Sequence, residues 1–295
     1  MQIIKNTILT TLLSLSALSA HTLWVNSFES YAHKPGHTTL SLGWGHTLPI
    51  NDLLNSPNGK TTVEEFSITD PNGNKTALRI PSSKIAKATK ETQSFDLYNS
   101  DVGLQKIALK KDSPKGVYKI KAKSKPTFYT LFIDKKDRQR LKLKPKDKLK
   151  NIKKVLMSLK YEAFANTYLS LGDKWKNPKA TNKGLEIIPK TNLSNVKVGD
   201  LVEFEVLFYG KPLHASPKGD AYITADSPSF GQSHHFSLYS KIKNERAKFI
   251  VQSAGQWKVE TKYKSKITKN GKLKDLYGKA DFLINASTLT FNVKE

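Results

Sequence analysis

From residue 21 onward, short runs of alternating apolar and polar positions, rich in β-branched and aromatic residues, recur at regular spacing with turn signals between them. They cover residues 21–28, 37–44, 63–69, 76–80, 93–98, 105–109, 116–122 and 127–133, a rhythm that predicts an antiparallel β-sandwich rather than helices. Pro71-Asn72-Gly73-Asn74 lies between two of these runs and reads as a hairpin turn. The first domain is expected to span 21–134. From Lys135 to Lys160 twelve lysines and arginines crowd the chain, and from there Val155, Leu156, Leu159, Ala163, Phe164 and Tyr168 recur at helical spacing. That pattern predicts a basic connector, 135–182, carrying a short amphipathic helix. A second β-rich region, 183–295, follows with runs at 185–189, 201–209, 221–225, 236–238, 247–252, 256–263 and 287–293. The fold class expected is mainly β: two antiparallel immunoglobulin-like β-sandwich domains joined by a basic, partly helical connector.

Residues 1–20 break the rhythm. One charge, Lys5, precedes an uncharged stretch from Ile8 to Leu18, and Ala17, Ser19 and Ala20 supply small residues, which is the layout of a cleaved secretory signal. Cleavage after Ala20 would make His21 the first residue; cleavage after Ser19 would make it the second. No later apolar run approaches the roughly 18 to 20 residues needed for a membrane-spanning helix, so an exported protein without a transmembrane segment is expected. The sequence contains no cysteine, which removes disulfides, zinc-thiolate sites and cysteine nucleophiles and leaves nitrogen and oxygen as the donors for any metal. The formal charge of +24 invites a nucleic-acid reading. Export and the scarcity of arginine argue against it, and a solvated cationic surface is expected instead.

Seven histidines are the borderline ligands present: His21, His33, His37, His46, His214, His234 and His235. An amino terminus exposed at His21 or one residue before it can chelate through the amine and the imidazole, with the intervening amide added when His21 is second, a tetragonal nitrogen set that favours Ni(II) or Cu(II) over Zn(II). His46 is the first candidate for a completing ligand, because Gly43-Trp44-Gly45 permits close backbone approach just before it. His37, at the start of the second predicted strand, is the next. His33 and His214 read as loop residues, and on a strand only one ring of the His234-His235 pair could face a given site. No nucleophile elbow, phosphate-binding loop, dinucleotide fingerprint or H-E-x-x-H motif is present, so the chain is expected not to be an enzyme.

The segments His21-Thr22-Leu23-Trp24-Val25-Asn26, Gly43-Trp44-Gly45-His46-Thr47-Leu48-Pro49, Leu185-Glu186-Ile187-Ile188-Pro189, Val198-Gly199-Asp200 through Gly210-Lys211-Pro212-Leu213, and Ala254-Gly255-Gln256-Trp257 resemble, in order and spacing, the DUF4198 family, some of whose members are NikK-type accessory proteins of nickel or cobalt uptake. The resemblance implies a periplasmic β-sandwich protein that handles Ni(II) or Co(II) beside inner-membrane transporter components or a TonB-dependent outer-membrane receptor. His21 and His46 sit in the matching segments. Three other readings compete: a copper-dependent histidine-brace oxidase using Cu(II), a CopC-like copper carrier, and a structural two-sandwich protein that holds no metal. The CopC-like reading is disfavoured, since Met1 and Met157 are the only methionines.

Overall fold

A computed structural model describes residues 21–30, 35–57, 60–213, 221–230 and 237–295. The expected leader, His33, His214 and the His234-His235 pair lie outside the described residues. In chain order the strands begin with β1 (Thr22–Ser30), β2 (His37–Gly45), β3 (Val63–Thr69), β4 (Lys75–Ala77), β5 (Ala88–Glu91), β6 (Asp96–Tyr98) and β7 (Gln105–Ala108). There follow β8 (Gly116–Ser124), β9 (Thr127–Asp134), β10 (Gln139–Lys142), β11 (Ile152–Leu171), β12 (Leu185–Pro189), β13 (Leu201–Phe208) and β14 (Lys211–Pro212). The last are β15 (Tyr222–Asp226), β16 (Leu238–Lys241), β17 (Arg246–Ile250), β18 (Gly255–Lys266) and β19 (Phe282–Val293). Helical structure among the described residues is confined to single 3-10 turns at Lys146–Lys148, Leu193–Asn195 and Lys274–Leu276. The expected mainly β class is therefore the observed one.

The chain divides into two compact units whose segments alternate along the sequence. Unit 1 comprises Pro126–Glu162 and Tyr263–Asn285, with His21. There β9 pairs antiparallel with both β10 and β11, Tyr129 meets Tyr161 edge-on at 6.2 Å, and Thr130 and Ser158 share a buried hydroxyl bond of 2.8 Å. Unit 2 comprises Thr22–Lys125, Ala163–Lys262 and Ala286–Glu295. It holds the sheet β1-β2-β7, the β12-β13-β14 sheet with β17, and the sheet in which β15 lies between β16 and β18. Strand β8 shows how sequence dictates the layer: Tyr118, Ile120 and Ala122 are buried, whereas Lys119, Lys121 and Lys123 alternate outward. Those lysines meet Glu186, Glu65 and Glu64. The 71–74 turn forms as expected, with Asp70 accepting from the backbone N–H groups of Asn72 and Asn74. Further along, Phe204, Phe249 and Trp257 stack in series at 5.7 and 6.0 Å.

The short helix expected within 135–182 does not form; residues 152–171 are the long strand β11. Two register irregularities, between Ile152 and Lys154 and between Val155 and Met157, interrupt strict alternation at its start. From Tyr161 to Leu169 every residue is buried. A strand covered on both faces carries a near-continuous apolar run, and on paper such a run cannot be told from a helix face by periodicity.

Candidate metal centre

The frame is the β1-β2 pair, in antiparallel register from Thr22 opposite Gly45 to Ser30 opposite His37. Strand β1 sits at the edge of its three-stranded sheet, and an open edge must satisfy its outward carbonyls elsewhere. Strand β19 does this with side chains: Thr288 Oγ1 donates to the Leu23 carbonyl at 2.7 Å, Thr290 Oγ1 to the Val25 carbonyl at 2.5 Å, and Asn292 Nδ2 to the Ser27 carbonyl at 3.1 Å. The alternate spacing of donors matches the alternate spacing of acceptors. Strand β1 is thereby held in one axial position.

Beyond β2 the chain turns at Gly45-His46 under tight steric control. A Cβ at Gly43 would lie 2.0 Å from Trp24 Nε1, so only glycine admits the indole there. Gly45 has φ of +120° and would place a Cβ 2.5 Å from Asn51 Oδ1; that same oxygen accepts from the His46 backbone N–H at 3.0 Å. Trp24 Nε1 and Asn26 Nδ2 both donate to the Pro49 carbonyl, at 3.1 and 2.7 Å. Asp52 N–H closes the loop on the Trp44 carbonyl at 3.0 Å. The backbone at His46 is thus fixed from both sides.

A third element anchors the same loop. Lys258 on β18 is only 1% exposed and donates from Nζ to the His46 carbonyl at 2.7 Å. Its ammonium lies 4.7 Å from the Trp24 ring centroid, a cation-π contact that strengthens when water is excluded. Two carboxylates balance it, Asp226 Oδ2 at 3.6 Å and Glu260 Oε2 at 3.8 Å, and Glu260 Oε2 also accepts from Thr22 Oγ1 at 3.0 Å. Burial pushes the Asp226 carboxyl up to about 6, with Glu260 adding to the rise and Lys258 opposing it. Burial acts on Glu260 in the same sense, but Lys262, Lys258 and the Thr22 hydroxyl outweigh it and hold that carboxyl below its ordinary value. A buried charge cluster thus ties Thr22 at the head of β1 and His46 at the end of β2 to one strand.

His21 is joined by one peptide bond to Thr22, and its carbonyl accepts from the Tyr161 hydroxyl at 3.0 Å. His46 is joined by one peptide bond to Gly45. His21 and His46 thus each adjoin one member of the Thr22↔Gly45 pair in sequence. His37 does not: it opens β2 opposite Ser30 and Ala108, nine extended residues and about 30 Å from His46. It cannot share an ion with His46. Among the described residues no group of three or more His, Cys, Asp or Glu side chains gathers as a metal site. Lys258, Asp226, Glu260 and Trp24 were not singled out from sequence; the family-like Ala254-Gly255-Gln256-Trp257 segment stops one residue short of Lys258.

A second feature shares the Lys258 face. In the antiparallel pairings Thr224 lies opposite both Glu260 and Tyr239, which places Tyr222, Tyr239 and Glu260 on one side of the sheet. Tyr222 and Tyr239 stack at 4.4 Å and are 44% and 60% exposed.

No curated protein matches the sequence. The family described as domain of unknown function DUF4198 matches residues 18–265, a stretch that includes Thr22, Trp24, His46, Asp226, Lys258 and Glu260 and most of the chain. With the register, the glycine turn and the Lys258 anchor in place along the matched stretch, the protein belongs to the DUF4198 family.

Proposed function

We propose that the protein is an exported, non-enzymatic carrier of Ni(II) or Co(II) that assists uptake of the ion, holding it through the processed amino terminus at His21 together with the His46 imidazole. The observation that carries this reading is the Thr22↔Gly45 register, with His21 and His46 each one peptide bond beyond it. The Lys258 bond to the His46 carbonyl supports it by restricting the backbone on which one donor rides, a role that outer-shell contacts play at metal sites. With Ala20 as the first residue, the amine, the deprotonated His21 amide, the His21 imidazole and the His46 imidazole would complete a tetragonal nitrogen set suited to Ni(II). The ion would then pass to a transporter in the inner membrane or arrive from an outer-membrane receptor.

The test is calorimetric titration of authentically processed protein, its amino terminus verified by mass spectrometry, with Ni(II), Co(II), Cu(II) and Zn(II). Stoichiometric Ni(II) or Co(II) binding that is lost on His21→Ala is the expected result. Absence of binding by every ion overturns the proposal and leaves the structural reading. The exposed Tyr222-Tyr239 stack favours a second reading, a copper-dependent histidine-brace oxidase, since aromatic faces suit sugar rings. Tight Cu(II) binding with peroxide-dependent oxidation of a polysaccharide would select it.

A further inference from the structure

Positive charge is not spread evenly over the protein. In unit 1, residues 126–162 and 263–285 carry eighteen lysines and arginines against six acidic residues. The 214 residues of unit 2 carry thirty against nineteen. Per residue, the excess in unit 1 is roughly four times greater. Two loops concentrate it. Lys146 N–H donates to the Lys279 carbonyl at 2.9 Å, the Lys146 ammonium pairs with Asp281, and Asp281 Oδ2 accepts from Ser158 N–H at 2.9 Å. These bonds fasten residues 144–150 beside residues 269–279. Asp281 is spent internally, while Lys144, Lys148, Lys150, Lys272, Lys274 and Lys279 stand exposed. Tyr277, 55% exposed, lies in the second of these loops.

We propose that this two-loop patch of unit 1 docks the protein on the surface of an anionic phospholipid bilayer. Lysine ammonium groups are compact point charges suited to a diffuse field of phosphates, whereas the guanidinium forks that favour bidentate phosphate and base recognition are missing from both loops. A tyrosine with an apolar ring and a polar hydroxyl suits the headgroup layer. Each lysine near an anionic surface strengthens attachment about fivefold, so three contribute on the order of a hundredfold. The attraction decays within about 10 Å at 0.1 M salt.

The experiment uses the full processed chain and co-sedimentation with vesicles of phosphatidylcholine alone or containing about one third phosphatidylglycerol. The expected result is binding to the anionic vesicles only, lost as salt is raised from about 0.05 to 0.5 M. The triple variant Lys150→Gln, Lys272→Gln, Lys274→Gln should lower the partition coefficient about a hundredfold. Lys84→Gln, Lys87→Gln, Lys90→Gln, three exposed positions in unit 2, should lower it less than about fivefold. Melting curves of both variants establish that the fold is kept. Equal losses in the two triple variants, equal binding to the neutral vesicles, or a patch triple that loses affinity for a short single-stranded RNA but not for the vesicles would each overturn the proposal.

Discussion

The buried Asp226 carboxyl makes a quantitative claim about stability and pH. Its ordinary value is 3.8 and burial raises it to about 6; each tenfold change in proton affinity is worth about 1.4 kcal/mol, so ionised Asp226 costs the folded state about 3 kcal/mol. The side chain is 7% exposed, and little solvent screening reduces that figure. Because the folded value is raised, the contribution favours folding below pH 3.8, where both states hold the proton. Between pH 3.8 and 6 the unfolded chain has released its proton while the folded one retains it, so stability falls as pH rises. Above pH 6 the full cost is in place. Asp226→Asn keeps the shape and removes the ionisation. Urea denaturation followed by tryptophan fluorescence should therefore show the variant gaining on the parent from pH 4 upward and levelling off about 3 kcal/mol ahead by pH 7.5. Carboxylates outside the Lys258 cluster titrate alike in the two proteins and cancel in the difference. Parallel stability curves across that range would refute the reasoning and mean that water or Lys258 already relieves the charge.

Lys258→Met should do the opposite at neutral pH, destabilising by about 3 to 5 kcal/mol in the same denaturation assay, because Asp226 is left buried without its cation and Glu260 keeps only Lys262. Gly43→Ala should lower stability by about 1 to 3 kcal/mol, since its Cβ meets the Trp24 indole at 2.0 Å. Thr288→Val combined with Thr290→Val removes two donors to β1 carbonyls and should cost about 2 kcal/mol, with faster amide exchange in β1 read by mass spectrometry. On the proposed carrier function, Ni(II) affinity measured by calorimetry should fall as pH drops through about 6.5, because imidazoles must lose their protons to coordinate; a flat profile from about pH 5 to 8 would remove the histidines from the site.

The strands that frame the site were legible because their faces differ: β1, β2, β8 and β13 alternate or cluster apolar residues as half-buried strands must, and Pro71-Asn72-Gly73-Asn74 marks its own turn. The glycines of Gly43-Trp44-Gly45 also signalled close approach, and the approaching groups are the Trp24 indole and the Asn51 side chain. Strand β11 was misread, since burial of both faces erases the alternation that separates strand from helix. Lys258 could not be read at all. A lysine is ordinarily taken for a solvated residue, and the carbonyl that holds this one lies 212 positions away. The Thr22↔Gly45 register likewise depends on pairing that a linear pattern suggests without specifying.

The ladder from Thr288, Thr290 and Asn292 links positions 265 residues apart. Strand β1 thus meets these side-chain donors only when β19 has been synthesised, and such long loop closures are slow. Until then β1 keeps a row of unsatisfied carbonyls available to chaperones or stray strands. Completion of the β1 edge is accordingly a late event, and a ribosome stalled before residue 286 would release a chain whose β1 had its β2 partner but lacked these three donors.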